Sequence, residues 1–312
     1  MKHGGIIFLL ILLVGAGIAA LFIVEKPQPP LDSTFAPAFQ LLGRTTKTFD
    51  RALSKTMPIS DLDEKAYGEA IILRYRDRGD LESKDCLYLN DLMQQISRFA
   101  KKPFHYKVFI MHMKEPNACA LPGGVILVAD GLLSTMKTEA EITSILAHEM
   151  GHIERSHCYD AVRFKLAARK IGSEPLGSLA DFAVSLMLRH SFSKTQEDEA
   201  DEYAYELILN TAYDPSAPGE SFQQLIEYKK KSSAVMGDDH LNIIRDYFLT
   251  HPPLTLRHEK FSGMAKQWWI RHQEERRYRG MENLRKRTCF DKKKFDNEWV
   301  TANNKRRNIG KS

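Results

Sequence analysis

Residues 148 to 152 read His-Glu-Met-Gly-His. On a helix, positions four apart lie on one face, so His148 and His152 can direct two imidazoles at one metal ion. Glu149 lies beside that face, where a carboxylate can take a proton from a water. The chemistry open to such a set is metal-assisted hydrolysis, and zinc is the ion these side chains suit. Ile142, Ile145, Leu146 and Ile153 flank the histidines with apolar side chains, which predicts a buried helix. Two histidines and a glutamate on a buried helix need a compensating partner, and a zinc ion supplies one. Paired surface histidines are the plainer reading, and the apolar flank speaks against them.

A catalytic zinc site needs a third protein ligand and one open position. The stretch Glu197-Asp-Glu-Ala-Asp201 offers it. Glu197 and Asp201 are four apart and share a face that Ala204 and Ile208 continue as apolar. A carboxylate pair on such a stripe needs a charge opposite. Glu197 is assigned as the third ligand. Asp201 then accepts a hydrogen bond from the outer ring nitrogen of a ligand histidine, with His148 the first choice, and fixes its tautomer. Glu199 is the competing ligand; it has no partner at four residues and otherwise reads as a solvated charge.

The elements that must position these residues are mostly helical. Thr138 and Glu141 have the spacing of a capping box, so the helix carrying His148 starts there and runs to about Ser156. A second helix is predicted from Tyr159 to Ile171, another from Thr195 to Asn210, one from Glu220 to Lys231, and one from Leu256 to about Arg285. Tyr106 to Met113 and Val125 to Val128 are rich in strand formers and pack as neighbours in one small sheet. Pro122-Gly-Gly124 between them marks a turn. Ala118, Ala120 and Leu121, just before it, offer a strand edge on which an extended peptide can pair through its main chain. An ordinary hairpin is the plainer alternative.

The chain has 312 residues and a net charge of +5. Ile6 to Val24 is an uncharged apolar run, long enough to span a bilayer as a helix. Its small residues fall mid-run, which favours an uncleaved anchor over a cleaved signal peptide. Lys2 and the amino terminus orient it with the remainder outside the cytoplasm. The organisation read from sequence is an anchor or signal over 1–30, a linker over 31–60, a catalytic domain over 61–265 and a basic tail over 266–312. From Lys266 onward there are 15 Lys and Arg against 6 Asp and Glu, so the basic excess belongs to the tail. Contact with anionic lipid is one use for it; a solvated helix with a disordered end is the plainer one. Nucleic acid is not an expected partner. Cys86, Cys119, Cys158 and Cys289 form no CxxC pair, which argues against a structural zinc site and leaves any disulfide pairing open.

Four motifs in order carry a family resemblance: Asn117 to Gly124 (NACALPGG), HEMGH, Ser193 to Asp201 (SKTQEDEAD) and His251 to Arg257 (HPPLTLR). Together they resemble the BepA, LoiP and HtpX group of zinc metallopeptidases, relatives of the CAAX prenyl proteases, over roughly Asp61 to Lys266. The resemblance implies an α+β, mostly helical, zincin-like (gluzincin) fold with a small β-sheet beside the active-site helix. It implies one zinc per chain and ligands in HExxH and ExxAD. It also points to His251 and Arg257 as oxyanion stabilisers, or to His251 as a fourth zinc ligand that holds the enzyme latent. Lys194 stands where the group usually has arginine, and Cys119 where it often has an aromatic or small apolar residue. A single apolar span resembles the periplasmic members more than the multi-span ones. The function expected is a zinc metalloendopeptidase acting on polypeptides in envelope protein quality control, anchored in the inner membrane or secreted to the periplasm. A zinc-binding chaperone with little proteolysis, or a CAAX-type processing peptidase, are the alternatives.

Overall fold

The computed structural model describes residues 61–76, 81–163, 183–184, 186–188, 190–236, 251 and 254–302. All lie in one compact unit, Met57–Ser312. The apolar run 6–24 and the linker 31–60 fall outside the described residues, and among the described residues no helix is long and apolar enough to cross a membrane.

Two helices, α1 (Asp61–Arg76) and α2 (Lys84–Ile96), precede a three-stranded sheet. Its strands are β1 (Lys107–Met111), β2 (Ala118–Leu121) and β3 (Val125–Ala129), in the order β1-β3-β2. β3 is central and wholly buried, which suits its continuous run of Val, Ile, Leu and Ala. β1 runs parallel to it and β2 antiparallel, so β2 is an edge strand. The turn between β2 and β3 needs left-handed backbone at Gly123 and Gly124. A side chain on Gly123 would also stand 2.5 Å from the Cα of Gly68, so two glycines let α1 cross the hairpin at backbone contact.

After the short helix α3 (Asp130–Thr135) comes the central helix α4, Glu139–Glu154. Thr138 caps it by accepting from the Glu141 amide. The Glu141 carboxylate in turn accepts from the amide of Lys137 at 2.7 Å. Every α4 residue from Glu139 to Ile153 is buried, between the sheet on one side and α5 (Lys194–Leu209) and α6 (Ala217–Met236) on the other. Helix α7 (Leu254–Arg271) packs on α6.

The segment beyond α7 differs from the tail read from its charge. The helix stops at Arg271, and β4 (Arg277–Tyr278), α8 (Met281–Lys286) and β5 (Trp299–Val300) follow, with β4 and β5 paired. Tyr278, Phe290 and Trp299 pack edge to face, around Tyr213 and Ile208. The lysines that made the stretch read as solvated lie on its outer face: Lys286 and Lys292 to Lys294 are exposed. Its inner face grips the start of α4, whose Glu139 and Ala140 amides donate to the Gly280 and Arg279 carbonyls at 3.0 Å each. The Glu139 carboxylate accepts from the Tyr88 and Tyr213 hydroxyls and the Phe290 amide. All four cysteines are free and buried.

Candidate metal centre

Helices α4 and α5 approach closely enough to share one site because Gly151 lies against Ala200. A Cβ there would stand 2.9 Å from the Ala200 carbonyl oxygen. On α4, His148 and His152 turn their Nε2 atoms toward each other, 3.1 Å apart. On α5, capped by a reciprocal Ser193–Gln196 box, Glu197 faces them. Its Oε1 lies 3.4 Å from His152 Nε2, and its Oε2 lies 3.6 Å from His148 Nε2. His251, just ahead of α7, completes the group, with Nδ1 at 2.8 Å from Glu197 Oε1 and 3.3 Å from His148 Nε2. One ligand atom from each of the four residues falls within 4.8 Å of the others, and all four are buried.

These residues fit a metal ion. Zinc bonds to nitrogen and oxygen of ~2.0–2.1 Å place tetrahedral ligand atoms roughly 3.3 Å apart. The separations here bracket that value. The donor set, three imidazoles and a carboxylate, is one that zinc takes. The charges also call for a cation. Burial alone would raise the Glu197 carboxyl, yet His251, Arg257 and the adjoining α4 histidines hold it well below the usual range. At His148, burial and Arg257 push the imidazole down. Hydrogen bonds to Asp201 and Glu197 outweigh them and raise it to about 9. Burial holds His152 well below the usual histidine value, leaving it neutral.

Around this group lie the residues that hold it. Asp201 Oδ1 is 3.1 Å from His148 Nδ1. Arg257 grips both Asp201 oxygens and places Nη1 at 2.9 Å from Glu197 Oε2 and 3.3 Å from the His251 carbonyl. Its guanidinium lies over the Phe222 ring. Those contacts turn Arg257 toward the two carboxylates of α5. Glu149 is fully buried. Its Oε2 accepts from the Ala120 amide at 2.9 Å, and its Oε1 has no hydrogen-bond partner among the described residues.

The β2 edge is set by its register. The Ala129 amide donates to the Asn117 carbonyl, so alternate residues Cys119 and Leu121 point their main-chain groups at β3, and Ala118 and Ala120 point theirs away. Of the three residues considered for peptide pairing, Leu121 is therefore out of phase. All four β2 residues are buried in this conformation.

Three residues near the centre were not legible in the sequence. Phe192 stacks on the His152 ring with centroids 3.8 Å apart. His157 places Nδ1 at 3.1 Å from His152 Nδ1. Glu199, read above as a solvated charge, lies 2.9 Å from His157 Nε2. Helical spacing does not connect His152 to His157. Ser156 breaks α4 with left-handed backbone (φ 61°), and that break turns His157 back.

A mostly helical fold with a small mixed sheet, built around an HExxH helix and a converging carboxylate, defines a zincin-like metallopeptidase. The chain belongs to peptidase family M48, whose family model matches residues 84–265. It is 31% identical to the metalloprotease LoiP of Escherichia coli K12 over 153 residues, 45% of this chain and 58% of LoiP. It is 28% identical to the mitochondrial metalloendopeptidase OMA1 of Arabidopsis thaliana over 151 residues, 47% of this chain and 29% of that protein. Against the beta-barrel assembly-enhancing protease of Escherichia coli K12 the identity is 24% over 222 residues, 64% of this chain and 44% of that protein. The chain thus spans between about a third and just over half the length of these relatives.

Proposed function

We propose that the protein is a zinc-dependent endopeptidase, with His148, His152 and Glu197 holding the metal and Glu149 as general base. The observation that carries this reading is the position of Glu149. Its unpartnered Oε1 is buried beside four converging donor atoms, 3.6 Å from His251 Nε2, while the Ala120 amide steadies its other oxygen. A zinc ion there supplies Lewis acidity toward a peptide carbonyl and a water. Glu149 takes the water's proton on Oε1 and returns it to the departing amine. Asp201 holds the His148 ring through Nδ1, and Arg257 neutralises the two α5 carboxylates. The outward main-chain groups of Ala118 and the outward carbonyl of Ala120, whose amide is held by Glu149, pair with an extended polypeptide, in a sequence-tolerant manner suited to misfolded or unassembled proteins.

His251 fills the fourth position and must leave before substrate can enter, so this conformation is a latent one. The apolar run 6–24 anchors the chain, with the catalytic domain in the periplasm. The folded domain extends through Ala302, since the segment after α7 grips the first turn of α4.

The test is metal analysis combined with casein cleavage, with and without a chelator, and the same assays on Glu149→Gln. One zinc per chain, chelator-sensitive cleavage, and a Glu149→Gln variant that keeps zinc but loses cleavage are expected. Wild-type cleavage by Glu149→Gln would remove it as the base.

A further inference from the structure

Each histidine of the HExxH pair meets a carboxylate of α5, by different routes. Asp201 contacts His148 Nδ1 directly. Glu199 is two residues from both Glu197 and Asp201, and two residues turn a helix by about 200°, so it points away from the metal-facing side of α5. It reaches His152 only through His157, which is 2% exposed and stands between them.

The proton positions in this chain follow from the hydrogen-bonding groups. A carboxylate accepts only, so the 2.9 Å contact places a proton on His157 Nε2. In a neutral His157 the Nδ1 is then a lone pair. The facing Nδ1 of His152, 3.1 Å away, must carry the proton between them. That leaves the His152 Nε2 lone pair directed at His148 and Glu197, where a metal ligand needs it. Phe192, stacked on the same ring at 23° between planes, fixes the plane of the ring, and His157 fixes its rotation within that plane. The left-handed Ser156 that turns His157 into place is a conformation non-glycine residues adopt at a cost. The Lys102 ammonium, held by Glu64, donates to its hydroxyl.

We infer that His157 and Glu199 are positioning residues for the metal centre, a two-step relay that sets the tautomer and orientation of His152 as Asp201 sets those of His148. This rests on reading His152 as a metal ligand. Partners of this kind typically contribute ten- to a hundredfold in metal affinity.

The experiment measures zinc affinity of the full chain by competition with a chromophoric chelator. The variants are His157→Asn, His157→Gln, His157→Ala, Glu199→Ala, the double His157→Ala/Glu199→Ala, and His152→Ala as the ligand control. Unfolding of the metal-free proteins is followed alongside to register changes in fold. Asparagine places its Oδ1 where Nδ1 stood and can still accept from His152; glutamine reaches only toward Glu199. Zinc affinity is expected to fall on the order of 10- to 100-fold in His157→Ala. His157→Asn should recover most of that loss and His157→Gln little, an order a merely structural role would not produce. Glu199→Ala should weaken binding less, and should add nothing in the His157→Ala background, because the relay is already broken there. Wild-type affinity in His157→Ala, tighter binding there, glutamine rescuing as well as asparagine, or additive losses in the double variant would each overturn the relay. If the wild type takes up no zinc, or His152→Ala binds it equally well, the ligand reading itself has failed, and that result is separate from the others.

Discussion

Arg257 holds Asp201 by both carboxylate oxygens, Nη2 to Oδ1 at 2.6 Å and Nε to Oδ2 at 3.0 Å, in a pocket closed to solvent. The same guanidinium lies 2.9 Å from Glu197. Removing one partner of a buried pair leaves an uncompensated charge, which costs about 3–5 kcal/mol. Arg257→Ala is therefore expected to destabilise the metal-free protein by that amount in urea unfolding. Arg257→Lys keeps the charge without the fork and should fall between the two. A loss below about 1 kcal/mol in Arg257→Ala would mean water or another cation compensates the two carboxylates.

His251 occupies a ligand position and is tied to Glu197 at 2.8 Å. If that state dominates, turnover is reduced by the fraction of time the position is open. His251→Ala is expected to keep its zinc on the three remaining ligands and to cleave casein roughly tenfold faster. A slower rate would instead place His251 on the substrate side of the reaction, and an unchanged rate would give it neither role.

How much of this centre the sequence disclosed depended on helical periodicity. His148 with His152, and Glu197 with Asp201, are four-residue pairs, and each pair shares a helix face, so the two halves could be read without knowing the fold. His251 lies 54 residues beyond Glu197 and came only through a resemblance. His157 was missed because its link to His152 depends on one left-handed residue, Ser156. Glu199 was missed because its partner, His157, lies 42 residues earlier in the chain and not on its own helix. The segment from Arg277 to Val300 read as a solvated tail because its lysines and arginines outweigh, in composition, the few aromatic residues that pack it down. Burial there is set by Tyr278, Leu284, Cys289 and Phe290, spaced without helical or strand periodicity.

Gly151 is the position at which the two halves of the site touch. A methyl group there would meet the Ala200 carbonyl oxygen at 2.9 Å and its Cα at 3.0 Å, both backbone atoms that side-chain rotation cannot move away. Gly151→Ala must therefore push α5 from α4, carrying Glu197 away from the histidines. Overpacking of this kind costs roughly 1–3 kcal/mol. The variant should lose zinc affinity along with stability, both read in one chelator titration and one unfolding curve. Retention of wild-type zinc affinity would show that the helices can separate without opening the ligand set.

Glu139 ties the start of the HExxH helix to the segment after α7, and its ionisation should set a pH dependence there. Burial raises its carboxyl from 4.5 to about 7, against the Tyr213, Tyr88 and Phe290 hydrogen bonds that lower it. Between those two values the folded protein binds more protons than the unfolded chain. Stability from this group is therefore complete below pH 4.5 and is lost as pH rises through about 7. At 1.36 kcal/mol per unit the loss is at most roughly 3 kcal/mol. Glu141, also raised by burial to about 7, tilts the wild-type curve the same way. The comparison with Glu139→Gln isolates the one group. Glutamine has only one oxygen for the three donors, so the variant starts with a deficit at pH 5. That deficit should shrink by roughly 1–3 kcal/mol by pH 8, as the wild type alone loses its proton. A difference between the two proteins that stays constant from pH 5 to 8 would show that Glu139 ionises no more readily in the unfolded chain than in the fold.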